Sequence, residues 1–80
     1  MGEYATMISP VQMRMARAGL GWGVRDLAER AGLQPGTISR IENGKEAMSG
    51  SLRKIEQVFK EAGVEFPDEH TVAVRPTAQQ

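Results

Sequence analysis

The sequence contains no cysteine and only one histidine, which excludes disulfide bonds and argues against a structural zinc site. No apolar run approaches the roughly 18 residues that a membrane-spanning helix needs, and the N-terminus lacks the basic-then-apolar pattern of a secretory signal. No nucleophile–base pattern and no phosphate-binding glycine loop is present, so an enzyme is not expected. We therefore expect a cytoplasmic protein that needs no cofactor and has no membrane partner.

The sequence also has no excess of positive or negative charge, because its formal net charge is zero at pH 7. Its distribution is uneven, however: residues 10–60 carry nine Lys or Arg and five Asp or Glu, whereas residues 61–80 carry four acids and one Arg. A mildly basic part of one small 80-residue domain thus precedes an acidic C-terminal part. Such a weak field predicts only modest non-specific affinity for a polyanion.

Residues 24–45 predict two short helices joined by a tight turn at Gly32, which can adopt positive φ without strain. Pro35 suits the first position of the second helix, whose inner face carries Ile38 and Ile41. The apolar positions of the first helix share one face: Leu27, Ala28 and Ala31. Small or hydrogen-bonding residues occupy the other face of the second helix: Gly36, Thr37 and Arg40. This pattern is typical of a DNA-binding helix-turn-helix.

A helix is predicted on each side of this unit. Ser9 is the expected N-cap of the preceding helix, with Pro10 at its first position and Gln12 completing a capping box. The apolar stripe of this helix comprises Met13, Ala16 and Leu20. The following helix is predicted from about Ser49 or Ser51 to Ala62, with Leu52, Ile55 and Phe59 at helical spacing.

Beyond Gly63 the apolar period changes to two, which predicts two short strands or one hairpin. Its apolar side chains, Val64, Phe66, Val72 and Val74, need a partner surface. That surface is either the helices of the same chain or a second copy paired with the strand edge. The expected fold is all-α, with four or five helices and a short C-terminal β-strand or hairpin. The expected divisions are a flexible N-terminus (1–8), a helix-turn-helix domain (9–63), a β segment (64–75) and a disordered tail (76–80).

The chain resembles the Xre/Cro family, the helix-turn-helix domains of phage repressors and many small bacterial regulators. The resemblance covers roughly residues 10–63, and its most specific part is the segment ISRIENGK. It rests on Arg17, Gly21-Trp22, Leu27-Ala28, Ala31-Gly32, Thr37 to Gly44, Leu52 and Ile55. By this resemblance, the helix from Val24 to Ala31 crosses the phosphate backbone. The helix from Pro35 to about Asn43 lies in the major groove.

The resemblance also implies site residues. Base contacts map onto Gln34, Pro35, Gly36, Thr37 and Arg40, and phosphate contacts onto Gly23, Val24, Asn43 and Lys45. We further expect the Asn43-Gly44 helix end to leave backbone N–H groups facing outward. Arg17 and Glu42 match a family ion pair between the first helix and the DNA-reading helix.

Three positions depart from the family pattern. Val24 stands where glutamine is common, which leaves only its backbone for a phosphate. Gly23 replaces the usual serine or threonine cap, at a cost of a few tenths of a kcal/mol. Pro35 and Gly36 occupy positions that often carry base-reading side chains, so DNA shape is expected to contribute to specificity.

The resemblance implies a sequence-specific transcriptional regulator, most simply a repressor that occupies a pseudo-palindromic operator as a homodimer. Two alternatives stay open. One is the antitoxin of a toxin–antitoxin pair, with residues 64–75 contacting the toxin. The other is a protein-interaction module that uses the same fold.

Overall fold

The computed structural model describes residues 8–75. Within these residues, four helices precede two short strands: α1 (Pro10–Leu20), α2 (Val24–Ala31), α3 (Pro35–Glu42), α4 (Ser49–Glu61), β1 (Val64–Glu65) and β2 (Ala73–Val74). The predicted all-α fold of four helices with a C-terminal hairpin is confirmed. Residues 1–7 and 76–80, expected to be flexible and disordered, lie outside the described residues.

The start of α1 is fixed by the capping box that the sequence predicts. Ser9 Oγ accepts a hydrogen bond from the Gln12 backbone N–H at 3.0 Å, and Gln12 Oε1 accepts one from the Ser9 N–H at 3.0 Å. The expected flexible N-terminus, residues 1–8, includes Ile8. In the structure Ile8 is only 6% exposed and packs in the core. The folded part therefore begins one residue earlier than that boundary.

The core forms where the apolar stripes of the four helices meet. Its largest fully buried apolar residues are Phe59, Met13, Leu27, Ile38, Ile55 and Val64. Phe59 is in contact with both other aromatic residues of the cluster. Trp22 stacks on it, with ring centroids 5.9 Å apart and an angle of 16° between the ring planes. Phe66 packs edge-on against it, with ring centroids 6.0 Å apart. Between residues 8 and 75, no helix is both long and apolar enough to span a bilayer.

The C-terminal segment folds back on its own chain. β1 and β2 pair antiparallel, with Val64 opposite Val74 and Glu65 opposite Ala73. β1 packs on α4 and β2 packs on α1. Val64 is 1% exposed, so the hairpin completes the core of its own domain. The apolar side chains of the hairpin thus pack on the helices of their own chain.

Gln12 anchors the hairpin turn to α1 by a contact that the sequence pattern did not indicate. Its amide nitrogen donates to the carbonyl oxygens of Asp68 at 2.7 Å and Thr71 at 3.0 Å. The residue is 2% exposed, and both ends of its amide are hydrogen-bonded. Within the turn, hydrogen bonds from the His70 backbone and the Thr71 hydroxyl lower the pKa of the exposed Asp68 carboxyl below its ordinary value.

α1 and β2 lie close together at Gly19. A Cβ atom at this position would lie 2.7 Å from Val74 Cγ2. Val74 is β-branched and packed, so its methyl group cannot move away freely. Gly50, in the first turn of α4, differs: among the described residues, no neighbouring atom lies within 4 Å of the place its Cβ would take.

We expect Gly19→Ala and Gly50→Ala to change stability in opposite directions. In α4 the alanine should stabilise the domain by about 0.5–1 kcal/mol through helix propensity. In α1 the steric conflict with Val74 should outweigh that gain and destabilise the domain by about 1 kcal/mol. Urea unfolding followed by circular dichroism measures both free energies. Adding Val74→Ala should reduce the penalty at position 19; additive effects of the two changes would show that the side chains do not meet.

Candidate nucleic-acid interface

The α2–α3 unit has the geometry of two helices joined by a glycine turn. Gly32 ends α2 in the left-handed region, with φ of 70°, and its N–H donates to the Glu29 carbonyl at 3.3 Å. The Leu33 N–H donates to the Ala28 carbonyl at 2.9 Å, which completes the turn. Gln34 is the N-cap residue of α3 and Pro35 its first residue. The inner faces of both helices are buried: Leu27, Ala28, Ala31, Ile38 and Ile41.

The outer face of α3 presents the residues that the resemblance assigns to base contacts. Gln34, Gly36 and Arg40 are exposed, and Thr37 is half-buried. No side chain caps the N-terminus of α3: the side chain of Gln34 accepts no hydrogen bond from the first N–H groups of the helix. Among the described residues, nothing lies within 4 Å of a Cβ built at Gly36, so packing within the protein does not require glycine there.

The start of α2 is already partly occupied by a carboxylate. The Gly23 N–H donates to Asp26 Oδ2 at 2.8 Å. An acidic residue in the first turn of a helix is favourable for the helix dipole, but it competes with an incoming phosphate for the same N–H groups. Of the two positions that the resemblance assigns to phosphate here, Gly23 has its N–H engaged, whereas the N–H of the half-buried Val24 has no backbone acceptor among the described residues.

The end of α3 differs from the expectation that it leaves backbone N–H groups outward. Asn43 N–H donates to the carbonyls of Ser39 and Arg40, Gly44 N–H to Ile41, and Lys45 N–H to Arg40, at 3.0–3.2 Å. These bonds tighten the last helical turn, and Gly44 has a positive φ of 85°. That expectation was wrong because the carbonyls at the helix end bind these N–H groups. Asn43 and Lys45 are exposed, and the hydrogen-bond donors that they offer to a ligand are those of their side chains.

Arg17 and Glu42 meet in a bidentate ion pair between α1 and α3. Arg17 Nε donates to Glu42 Oε2 at 2.7 Å, and Nη2 donates to Oε1 at 2.8 Å. The third nitrogen, Nη1, donates to the Trp22 carbonyl at 3.1 Å. The side chains are 19% and 7% exposed. The hydrogen bond to Glu42 raises the pKa of Arg17 above its ordinary value, although burial opposes this shift.

A second arginine, missed at the sequence level, also holds the end of α3. Arg14 Nη1 donates to the Glu42 backbone carbonyl at 2.6 Å. Arg14 lies one turn before Arg17 on α1, and that spacing is the only signal the sequence offers. The two arginines bind the side chain and the carbonyl of one residue, which fixes the C-terminal end of α3 against α1.

Two helices packed through a glycine turn, with a polar and exposed outer face on the second, define a helix-turn-helix DNA-binding domain. A family model described as "Helix-turn-helix" matches residues 13–66. The chain belongs to this family of DNA-binding regulators, in its Xre/Cro-like branch, which confirms the resemblance seen in the sequence. The comparison with curated proteins gave no match.

We expect Arg17→Ala and Glu42→Ala each to destabilise the domain by about 3 kcal/mol, because each leaves a poorly solvated charge without its partner. Arg17→Lys should lose most of the same free energy, since an ammonium cannot form the bidentate geometry. Denaturant unfolding of the two single variants and the double variant gives the coupling energy. We expect at least about 1 kcal/mol; a coupling near zero contradicts a stabilising pair. The exposed pair Arg75–Glu65, at 3.4 Å, is the matched control and should couple weakly.

Proposed function

We propose that the protein is a sequence-specific transcriptional repressor that places α3 in the major groove of an operator and blocks transcription by occupying it. The observation that carries this proposal is the contrast between the two faces of α3. Ile38 and Ile41 are buried, whereas Arg40 on the same helix is exposed. The two arginines of α1 hold the end of this helix, so the exposed face is presented by a rigid element.

Arg40 is the main base-reading side chain in this proposal. An arginine on the outer face of a helix in the major groove can donate two hydrogen bonds to guanine O6 and N7, the commonest specific contact. Gln34 and Thr37 supply further hydrogen-bonding groups at the start of α3. Gly36 adds no side chain, and the open space around it allows the helix N-terminus to approach the DNA closely.

Phosphate contacts position the domain on the duplex. We assign them to the Val24 N–H at the start of α2 and to the side chains of Asn43 and Lys45 after α3. Gly23 remains a position of close backbone approach, with its own N–H bound to Asp26. Few contacts and a surplus of only four basic residues over residues 10–60 imply that specific binding depends on the fit to one sequence rather than on general attraction.

A two-fold dimer on a pseudo-palindromic operator is the proposed assembly. α3 has eight residues and reaches only a few base pairs, too few for selective binding. The hairpin packs on its own helices, yet Phe66, Val72 and Val74 are only half-buried, so the β segment still offers apolar surface to a second copy. We do not propose the antitoxin function, since no feature of the described residues favours a toxin over a second copy at this surface.

We expect Arg40→Ala and Lys45→Ala to weaken operator binding in different ways. Arg40→Ala should remove about 1–3 kcal/mol of discrimination at one base pair. Lys45→Ala should weaken all sequences alike and reduce the salt slope, the change in log K with log[salt], by about 0.9. Fluorescence anisotropy with selected and substituted duplexes over a salt series measures both effects. Lys60→Ala, which removes an exposed charge from α4, should change neither. Unchanged specificity in Arg40→Ala excludes the assigned base contact.

The dimer proposal predicts a fixed spacing between half-sites. Sequences selected from random DNA should contain two inverted half-sites with centres about 10–10.5 base pairs apart. Inserting about five base pairs between them turns one half-site to the opposite side of the duplex and should abolish cooperative binding. A mobility-shift titration reads the result. A single half-site bound as tightly as the full operator would falsify the dimer but leave the recognition helix intact.

A further inference from the structure

A groove between α2 and α4 is not used by the proposed DNA contacts. It consists of two adjoining depressions of about 530 and 300 Å³, which share Arg30, Val58 and Glu61. The half-buried Val58 and Ala62 supply apolar surface, while Arg53 and Lys54 line the larger depression. The groove thus combines an apolar floor with a cationic rim.

Within the described part of the chain, the cations of this rim have no acidic partner. Arg30, Arg53 and Lys54 are exposed, and none of them forms an ion pair with a carboxylate of residues 8–75. Glu61 is the acidic residue that lines the groove. Three positive charges against one negative charge make the groove attractive to an acidic surface.

Arg30 is held in a geometry that suits carboxylate binding. Its guanidinium lies 4.5 Å from the centroid of the Trp22 ring, and that ring is itself stacked on the buried Phe59. Stacking uses the flat face of a guanidinium and leaves the N–H donors at its edge free for a bidentate contact. The aromatic stack therefore fixes Arg30 before a partner arrives, which lowers the entropy cost of binding.

We propose that the α2–α4 groove binds an acidic, amphipathic helical segment of another protein. An apolar side chain of that segment contacts Val58 and Ala62. Its carboxylates pair with Arg30, Arg53 and Lys54. The apolar floor favours a protein over nucleic acid, because a phosphate backbone gains nothing from apolar surface. No residue of α3 lines either depression, so the groove is separate from the outer face of α3.

Trp22 is the only tryptophan, so its fluorescence reports directly on this groove. The probe is a synthetic amphipathic helical peptide with leucines on one face flanked by glutamates; the control peptide has lysines in place of the glutamates. We expect saturable changes in Trp22 emission with the acidic peptide only. Charge reversal in Arg53→Glu/Lys54→Glu should weaken binding at least about tenfold. The variant is used once its helical circular dichroism matches the parent.

Lys45→Glu is the matched control for charge reversal. It should bind the acidic peptide like the parent protein and lose operator affinity, whereas the Arg53→Glu/Lys54→Glu variant should do the opposite. Equal peptide affinity in parent and double variant overturns the proposal. A loss of operator affinity in the double variant as large as in Lys45→Glu also overturns it, because the groove would then be a DNA surface. Failure of the parent to bind DNA, with peptide binding intact, affects only the proposed repressor function.

Discussion

The structure depends first on the arginines of α1 that hold the end of α3. α3 is short, with eight residues, and an isolated helix of that length is not stable in water. Its inner face contributes two isoleucines, and its C-terminal end is bound by Arg14 at the carbonyl and by Arg17 at the side chain of Glu42. An apolar contact alone leaves a short helix free to rotate or slide. The directional ion pair fixes how far α3 projects and which of its side chains face outward. Every proposed base contact therefore depends on this ion pair.

The local features of the fold were predictable because short-range chemistry determines them. The Ser9–Gln12 capping box, the glycine that ends α2 and the proline that begins α3 are each read within a few residues. The contacts of the candidate site were harder to predict from the sequence. Two of its contacts depend on backbone geometry that residue types alone do not determine. Asp26 binds the Gly23 N–H, and the N–H groups after α3 bind carbonyls of the same helix. The docking of Gln12 on a turn far along the chain leaves no periodic signal at all.

The neutral charge of the chain conceals a division of its surface. Basic side chains lie both near the proposed DNA-binding face and along the α2–α4 groove, while acids concentrate in the hairpin region. A total over all residues cancels these regions, so it carries little information about partners. In the two proposals, binding depends on where each charge lies. Arg30 shares a concave surface with the apolar Trp22, whereas Arg40 stands on the convex surface of α3.

The double role of Gln12 has a consequence for how the domain opens. Its amide oxygen caps the first turn of α1, and its amide nitrogen binds carbonyls 56 and 59 residues later. One side chain therefore joins the two ends of the folded chain. Terminal segments usually fray independently, but here release of the hairpin frees the amide that also orders the helix start. Amide hydrogen exchange at the beginning of α1 and in the hairpin should follow a common opening reaction, so that the two ends behave as one cooperative unit.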